Sequence, residues 1–481
     1  MTFLSIFPKR VFRSLAFEFR FRLNGWTLTG LALGLLVFLP MATVLWNLSN
    51  SPENWEHLKE TVLGTYLMDS LILVAGTVLL SVLAGVSCAW LVTCCDFPGQ
   101  KFLQWALVLP LAVPTFIAAY GYFDLLGIIE EKMIPLVIWA RTQSPENLDN
   151  VIFLLDSLKY PVTILVMASV LYPYVYLLAR ASFFSQGSRL IEAARTLGYK
   201  PRSVFFRVAL PLARPAIVAG ASLVAMETLN DYGAVKHFGV STFTIGIFRT
   251  WLGLDDLSGA LRLASLLMLF ILSLLVLERA LRAGAKYDEA KNGGRTFRRY
   301  RLGPVGSGLA ILCCLVPLAF GFLFPLWRLG SWALSTYGKI LDWTFFKLIL
   351  HSLSLAAISA LVVVSTATFL AFVGRYFKNP SIQASNRLAI LGYSVPGAVV
   401  AMAVLIVSGQ INLSLGVILT GSLVTLVFAY LVRFLAVAWQ PIDSGMDKNC
   451  ACLNEASRSL KSTPLVSLLK INLPLLRPSL L

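Results

Sequence analysis

Long apolar runs separated by short polar intervals set the plan of this chain. A helix needs about 20 predominantly apolar residues to cross the hydrocarbon core of a bilayer. Ten runs of that kind follow one another, at 27–46, 70–95, 102–126, 160–179, 216–235, 257–281, 305–326, 352–373, 388–407 and 413–432. The third holds Pro110 and Pro114 and the ninth Pro396. Proline inside a span frees backbone carbonyls that neighbours or water must satisfy, so the third span is expected to be kinked, either lining a cavity or merely packed. The pattern predicts an all-α, polytopic membrane protein.

The polar intervals alternate in charge. Residues 1–26 carry Lys9, Arg10, Arg13, Arg20 and Arg22 against Glu18, and 282–304 form a basic linker containing Gly293-Gly294. By the positive-inside rule both lie in the cytoplasm, with the acidic segments near 51–60 and 127–159 outside. The interval after the fourth span differs from these. Leu190, Ile191, Ala194 and Leu197 recur at helical spacing, with Arg189, Glu192 and Thr196 on the other face, which predicts a short amphipathic helix. Gly198 stops it, Pro201 suits the first turn of a second short helix, and Leu210-Pro211 is expected to end that helix at the bilayer. Such helices commonly just lie on the membrane surface.

This interval occurs twice. Glu192-Ala193-Ala194 is matched by Glu455-Ala456-Ser457, and LPLARP from Leu210-Pro211 onward by LPLLRP from Leu473-Pro474, an offset of 263. Ser457 departs from the third Ala, and Lys461 stands where the first copy has Gly198. Asp69-Ser-Leu-Ile-Leu is likewise answered by His351-Ser-Leu-Ser-Leu, and Pro114 by Pro396, both at 282. Two homologous halves of six spans are expected, 27–281 and 305–481, with the extra 19 residues of the first within 127–159. By the 263 offset Leu481 matches Val218, so the second half is expected to be truncated after about ten spans.

Composition narrows the class further. Of the 481 residues 57% are hydrophobic and 13% charged, and mean hydropathy is +0.77, values of a membrane protein. A net charge of +16 does not imply nucleic acid, because the basic residues sit between spans as topological anchors. Cys88, Cys94, Cys95, Cys313, Cys314, Cys450 and Cys452 suggest neither a disulfide framework nor a zinc site. His57, His237 and His351 lack paired metal-ligand spacing. No phosphate-binding G-x-x-x-x-G-K-[ST] loop is present, and no catalytic constellation, cofactor site or metal site is expected.

The spacing Glu-Ala-Ala, three residues, Gly, nine residues, Val-x-Leu-Pro resembles the EAA loop of permeases of binding-protein-dependent ABC importers. That resemblance implies two MetI-like halves in a bacterial inner membrane, with the N-terminus in the cytoplasm. It implies ATPase subunits, as a dimer, coupled through Glu192, Ala193, Ala194, Gly198, Leu210 and Pro211 and through Glu455, Ala456, Leu473 and Pro474. Each Glu can also stabilise the first turn of its own helix. A periplasmic binding protein would deliver the cargo. Met226-Glu-Thr-Leu-Asn-Asp-Tyr-Gly233, followed by Thr242-Phe243-Thr244 and Trp251, resembles the ferric-iron branch of that family.

Glu227 and Asp231, four apart, are expected to share one helix face in the fifth span about 6 Å from each other. Intramembrane carboxylates mark a pathway or a packing site, so Glu227, Asp231 and Tyr232 are the candidate substrate pathway. Import of thiamine, a phosphonate or another small solute is the alternative within the same family. An ion-coupled secondary carrier fits less well because it has no ATPase to grip, and an intramembrane enzyme lacks a visible nucleophile or base.

Overall fold

The computed structural model describes residues 24–47, 55–125, 127, 135, 145–185, 192–194, 196–282, 299–377, 379–390, 392, 395–416, 418–448, 451–460 and 462–480. The segment 1–23, most of 128–144, Leu190, Ile191, Lys461 and Cys450 lie outside them, as does most of the basic linker. Helix dominates: α1 Gly25–Trp46, α2 Gly64–Cys94, α3 Gln100–Ala106, α4 Thr115–Leu125, α5 Pro145–Ser185, α6 Pro201–Asn230, α7 Gly233–His237, α8 Phe243–Phe248 and α9 Leu257–Arg282 come first. There follow α10 Pro304–Gly338, α11 Trp343–Tyr376, α12 Pro380–Ile390, α13 Gly397–Leu415, α14 Leu423–Lys448 and α15 Ala451–Ser459. Nine described helices are long and apolar enough to span a membrane, ten if one bent pair counts as a span. The protein is therefore an all-α polytopic membrane protein, apart from a two-residue parallel pairing of β1 (Cys95–Asp96) with β2 (Tyr300–Arg301).

Three predicted spans need correction. The third is not a kinked rod but two helices, Gln100–Ala112 and α4, meeting at 87°. The ninth is broken as well: α12 ends at Ile390, and Pro396 is the N-cap of α13. The tenth lies at Leu423–Lys448 rather than 413–432. Gly416 stops α13 in a left-handed conformation (φ 65°), and Asn412 closes the turn by accepting from Leu419 N (2.7 Å) and donating to Thr420 Oγ1 (2.8 Å).

The chain forms two compact units, Ser51–Ile340 and Met1–Asn50 with Leu341–Leu481. These do not coincide with the sequence halves, for the first span of each half is grouped with the other half: α1 with 341–481 and α10 with 51–340. In the unit 51–340, α2, α5 and α6 pack on one another through small residues, as membrane helices do when backbones approach closely. A Cβ on Gly220 would stand 2.7 Å from Val175 Cα, and one on Gly321 of α10 only 2.0 Å from Ser169 O of α5. In the other unit α1 packs on α11, α12 and α13, with Trp26 stacked on Phe369 at 5.8 Å.

The break in the third span is stabilised from α5. Val108 N turns to Trp105 O and Leu111 N to Val108 O, a tightening into 3₁₀ geometry that leaves Gln104 O and Leu107 O without their usual helical donors. Tyr176 OH donates to Gln104 O (2.9 Å) and Tyr172 OH to Leu107 O (3.0 Å). Both tyrosines are fully buried. A carbonyl in hydrocarbon must find a donor inside the protein, and two tyrosines supply it.

Gly321→Ala should lower the unfolding free energy in detergent by about 1–3 kcal/mol, the usual cost of overpacking. Gly308→Ala, where a Cβ meets nothing within 4 Å, should leave thermal unfolding unchanged.

Candidate functional site

The fifth span ends inside the unit 51–340, and its end is the polar centre of that unit. α6 stops at Asn230, and Asp231 follows in extended conformation (ψ 129°). The run Asn230-Asp231-Tyr232-Gly233 carries turn chemistry, and here that outweighs the apolar pattern. Asp231 Oδ1 accepts from Ala234 N (2.7 Å), which caps the short helix α7. Its Oδ2 accepts from Thr115 Oγ1, the first residue after the break in the third span. The Asp231 carbonyl accepts from Thr244 Oγ1 (2.7 Å), which in turn meets Thr242 Oγ1 at 2.9 Å. Gly233 is required by contact, since a Cβ there would lie 2.4 Å from Phe116 Cβ.

Two of the expected carboxylate positions are thus separated. Glu227 lies half-buried within α6 and Asp231 beyond its end, so they do not share a helix face. The four-residue spacing holds only where the helix continues, and it does not continue. Tyr232 is half-buried against Phe248 (ring centroids 4.2 Å), with Lys236 Nζ 5.4 Å from its ring.

One member of the cluster escaped the sequence reading. Asp69 of α2 is 6% exposed and accepts from Tyr160 OH (2.9 Å) and from Ser241 N (3.2 Å). Its neighbour Ser70 accepts from Phe243 N (3.2 Å). The signal was present as a carboxylate inside an apolar run, but it had served only to align the two halves. α2, α4, α5, α6 and α8 therefore converge on a group of carboxylates and hydroxyls at two helix breaks.

The second region comprises the two repeated loops. Glu192 and Ala193 are exposed while Ala194 is buried, and Gly198 takes φ 80°, the left-handed stop that glycine permits. Leu197 N donates to Ala193 O and Tyr199 N to Ala194 O, both at 3.1 Å. In the second loop Glu455 and Ala456 are exposed and Ser457 is 2% exposed. Leu460 N donates to Ala456 O (3.0 Å) and Ser462 N to Ser457 O (3.1 Å). Each of these residues lies 263 beyond its counterpart, so the two loops share one backbone design. Ser457 occupies the inward position of the triplet, where only a small side chain is needed.

Leu210-Pro211 does not end a helix as expected, and helix likewise continues through its counterpart Leu473-Pro474. Each is preceded by a π turn, Phe205–Ala209 and Leu468–Asn472, in which Leu210 N donates to Phe205 O and Leu473 N to Leu468 O. The wider turn accommodates the ring and missing N–H of the proline. Helix then runs unbroken from Pro201 to Asn230, joining the first loop to the Asp231 break.

Among the described residues no group of three His, Cys, Asp or Glu could hold a metal ion. His57 and His351 are exposed, and His237 lies beside Tyr120 (5.5 Å) and Phe123 (6.0 Å).

Residues 81–286 match the family described as binding-protein-dependent transport system inner membrane component. The chain is similar to the Fe(3+)-transport system permease protein FbpB 2 of Haemophilus influenzae, at 22% identity over 465 residues, 94% of this chain and 84% of the relative. The molybdenum transport system permease protein ModB of Escherichia coli is 29% identical over 161 residues, 34% of this chain and 65% of the relative. The sulfate transport system permease protein CysW of Escherichia coli is 33% identical over 152 residues, 32% of this chain and 48% of the relative.

Thr115→Val should destabilise the unit by about 1–3 kcal/mol, because it removes a donor from a largely enclosed carboxylate, whereas Thr115→Ser should restore it. Thermal unfolding of the purified variants in detergent checks both.

Proposed function

We propose, from the premise that residues 81–286 belong to the binding-protein-dependent transport family of inner-membrane permeases, that this chain carries ferric iron and is driven through its two repeated loops. The observation that carries the coupling is the unbroken helix from Pro201 to Asn230. Thirty residues at 1.5 Å each span about 45 Å, so a displacement of the Glu192 loop is delivered directly to the Asp231–Thr115 contact. ATPase subunits, as a dimer, grip Glu192 and Glu455 from the cytoplasm. A binding protein presents cargo on the opposite side, and the N-terminus lies with the ATPase.

The chemistry follows from the same geometry. ATP-driven closure of the ATPase dimer moves both loops. α6 transmits the shift to a break whose hydrogen bonds to Thr115, Ala234 and Thr244 are few and specific, and their rearrangement opens or closes a path along the span. Asp231, Glu227 and Tyr232 line that path, and Asp69 stands beside it. Carboxylates favour a cation over an oxyanion, which supports iron over molybdate or sulfate. Support also comes from the relative that extends along 94% of this chain and is named for Fe(3+) transport. Sites that conduct must release their ion, so a dense ligand cluster is not needed.

Uptake of labelled ferric iron by cells carrying the full chain with its ATPase and binding protein is the test. Glu192→Ala should lower uptake by at least about tenfold, the effect of about 1.4 kcal/mol of lost coupling. Glu227→Gln and Asp231→Asn should each impair uptake while leaving ATPase binding intact. Accumulation of molybdate or sulfate without iron would overturn the cargo and keep the transport class; normal uptake in Glu192→Ala would overturn the coupling role.

A further inference from the structure

The two short helices that meet at Asp231 have a third neighbour. Asp231 holds both by their first turns, α4 through Thr115 and α7 through Ala234 N. Their other ends meet at His237, the last residue of α7, which lies beside Tyr120 and Phe123 of α4. Against α4 stands α10, which the repeat assigns to the second half and the fold groups with 51–340.

α10 grips α4 at successive points. A π turn at Ala319–Leu323 carries α10 past Pro325, and Phe324 N donates there to Ala319 O. Phe320 O is left with no helical donor, because Phe324 N is engaged and the next position along, Pro325, has no N–H. Tyr122 OH of α4 supplies the missing bond at 2.6 Å, and the buried Tyr122 ring lies 4.5 Å from that of Phe324. Farther along, Arg328 of α10 pairs with Asp124 of α4. The Arg328 guanidinium also lies 5.0 Å from the Trp332 ring, and Trp332 meets Tyr120 edge-on at 5.1 Å.

We propose that Arg328 is a positioning residue for the Asp231–Thr115 contact: paired with Asp124 and stacked on Trp332, it fixes the far end of α4 and so keeps Thr115 within reach of the Asp231 carboxylate. A half-exposed ion pair is worth little by itself, but its place gives it leverage. Asp124 follows Thr115 by nine residues on one helix, about 14 Å along the axis, so the end that α10 holds sets the direction of the whole rod. Tyr122 marks the middle of the same seam, and Gly121 leaves room for it, since a Cβ there would stand 3.8 Å from Arg328. α10 thereby holds the junction that the first loop drives through α6, and a span of the second half sets the state of a break in the first. The role in uptake rests on the transport reading above; the position of α4 does not.

Thiol labelling tests the position of α4 directly. In the full chain with serine at the native cysteines, Ala119→Cys puts a thiol at a fully buried position of α4, and Ala264→Cys puts one at a fully buried position of α9. Arg328→Gln should raise the N-ethylmaleimide labelling rate at 119 several-fold and leave that at 264 unchanged. Asp124→Asn, which keeps the shape of the side chain, should do the same, and Arg328→Lys, which keeps the charge, should stay close to the parent. Iron uptake should fall several-fold in Arg328→Gln at equal folded yield and ATPase binding. Because Arg328 acts through Thr115, adding Arg328→Gln to Thr115→Val should cost no further uptake, whereas two independent losses multiply. Unchanged labelling at 119 in both Arg328→Gln and Asp124→Asn, equal rises at 119 and 264, a rise in Arg328→Lys as large as in Arg328→Gln, or multiplied losses of uptake would each overturn the proposal. If the parent takes up no iron, the labelling still decides the positioning role, and the cargo reading alone fails.

Discussion

A backbone carbonyl or amide that leaves its helix inside a membrane must find a partner in the protein. Most of what distinguishes this structure follows from how that requirement is met at two breaks. Tyr172 and Tyr176 donate to the carbonyls released where the third span tightens. Thr115, Ala234 and Thr244 satisfy Asp231 where the fifth span ends. Without these donors each break would leave polar groups exposed to hydrocarbon at several kcal/mol each. With them, two interrupted helices become a fixed junction between α4 and α6.

The junction has a mechanical consequence. α6 is a single helix from the first repeated loop to Asn230 because the π turn at Phe205–Ala209 absorbs Pro211. The same turn recurs at Leu468–Asn472 ahead of Pro474. A proline that would ordinarily end a helix is carried through in both copies, and the loop stays rigidly joined to the membrane segment behind it. Trp90, between Phe205 and Tyr300, ties the same loop to β2, which leads into α10.

The match of residues 81–286 to binding-protein-dependent transport inner membrane components suggests a common purpose for these parts, if the chain works as we propose. An importer permease has to transmit force from an ATPase to a gate without hydrolysing anything itself. A stiff helix linking a small exposed loop to a break held by a few hydrogen bonds meets that need. The exposed Glu192 and Glu455, set on triplets whose third residue is buried, present the same surface in both halves.

The apolar pattern was enough to place most spans, because burial in lipid constrains twenty residues at a time and tolerates little ambiguity. The repeat at 263 and 282 was equally legible, since it depends only on residue identity. The paired loops followed from Gly198 and Pro201, whose backbone preferences are local. What sequence could not settle were the breaks. Asp231 was expected on a helix face with Glu227, yet turn chemistry at Asn230–Gly233 prevails once Thr115, 116 residues away in another span, supplies a donor. Pro211 was expected to stop a helix, and packing lets a π turn carry it through. Asp69 was legible only as a letter in a repeat until Tyr160 and Ser241 closed on it. The exchange of α1 and α10 between the units left no mark in hydropathy, since an apolar helix satisfies lipid equally well against either neighbour. Local preferences and burial are written in the chain itself, but the partner that satisfies a freed polar group or covers an apolar face is chosen only when distant segments meet.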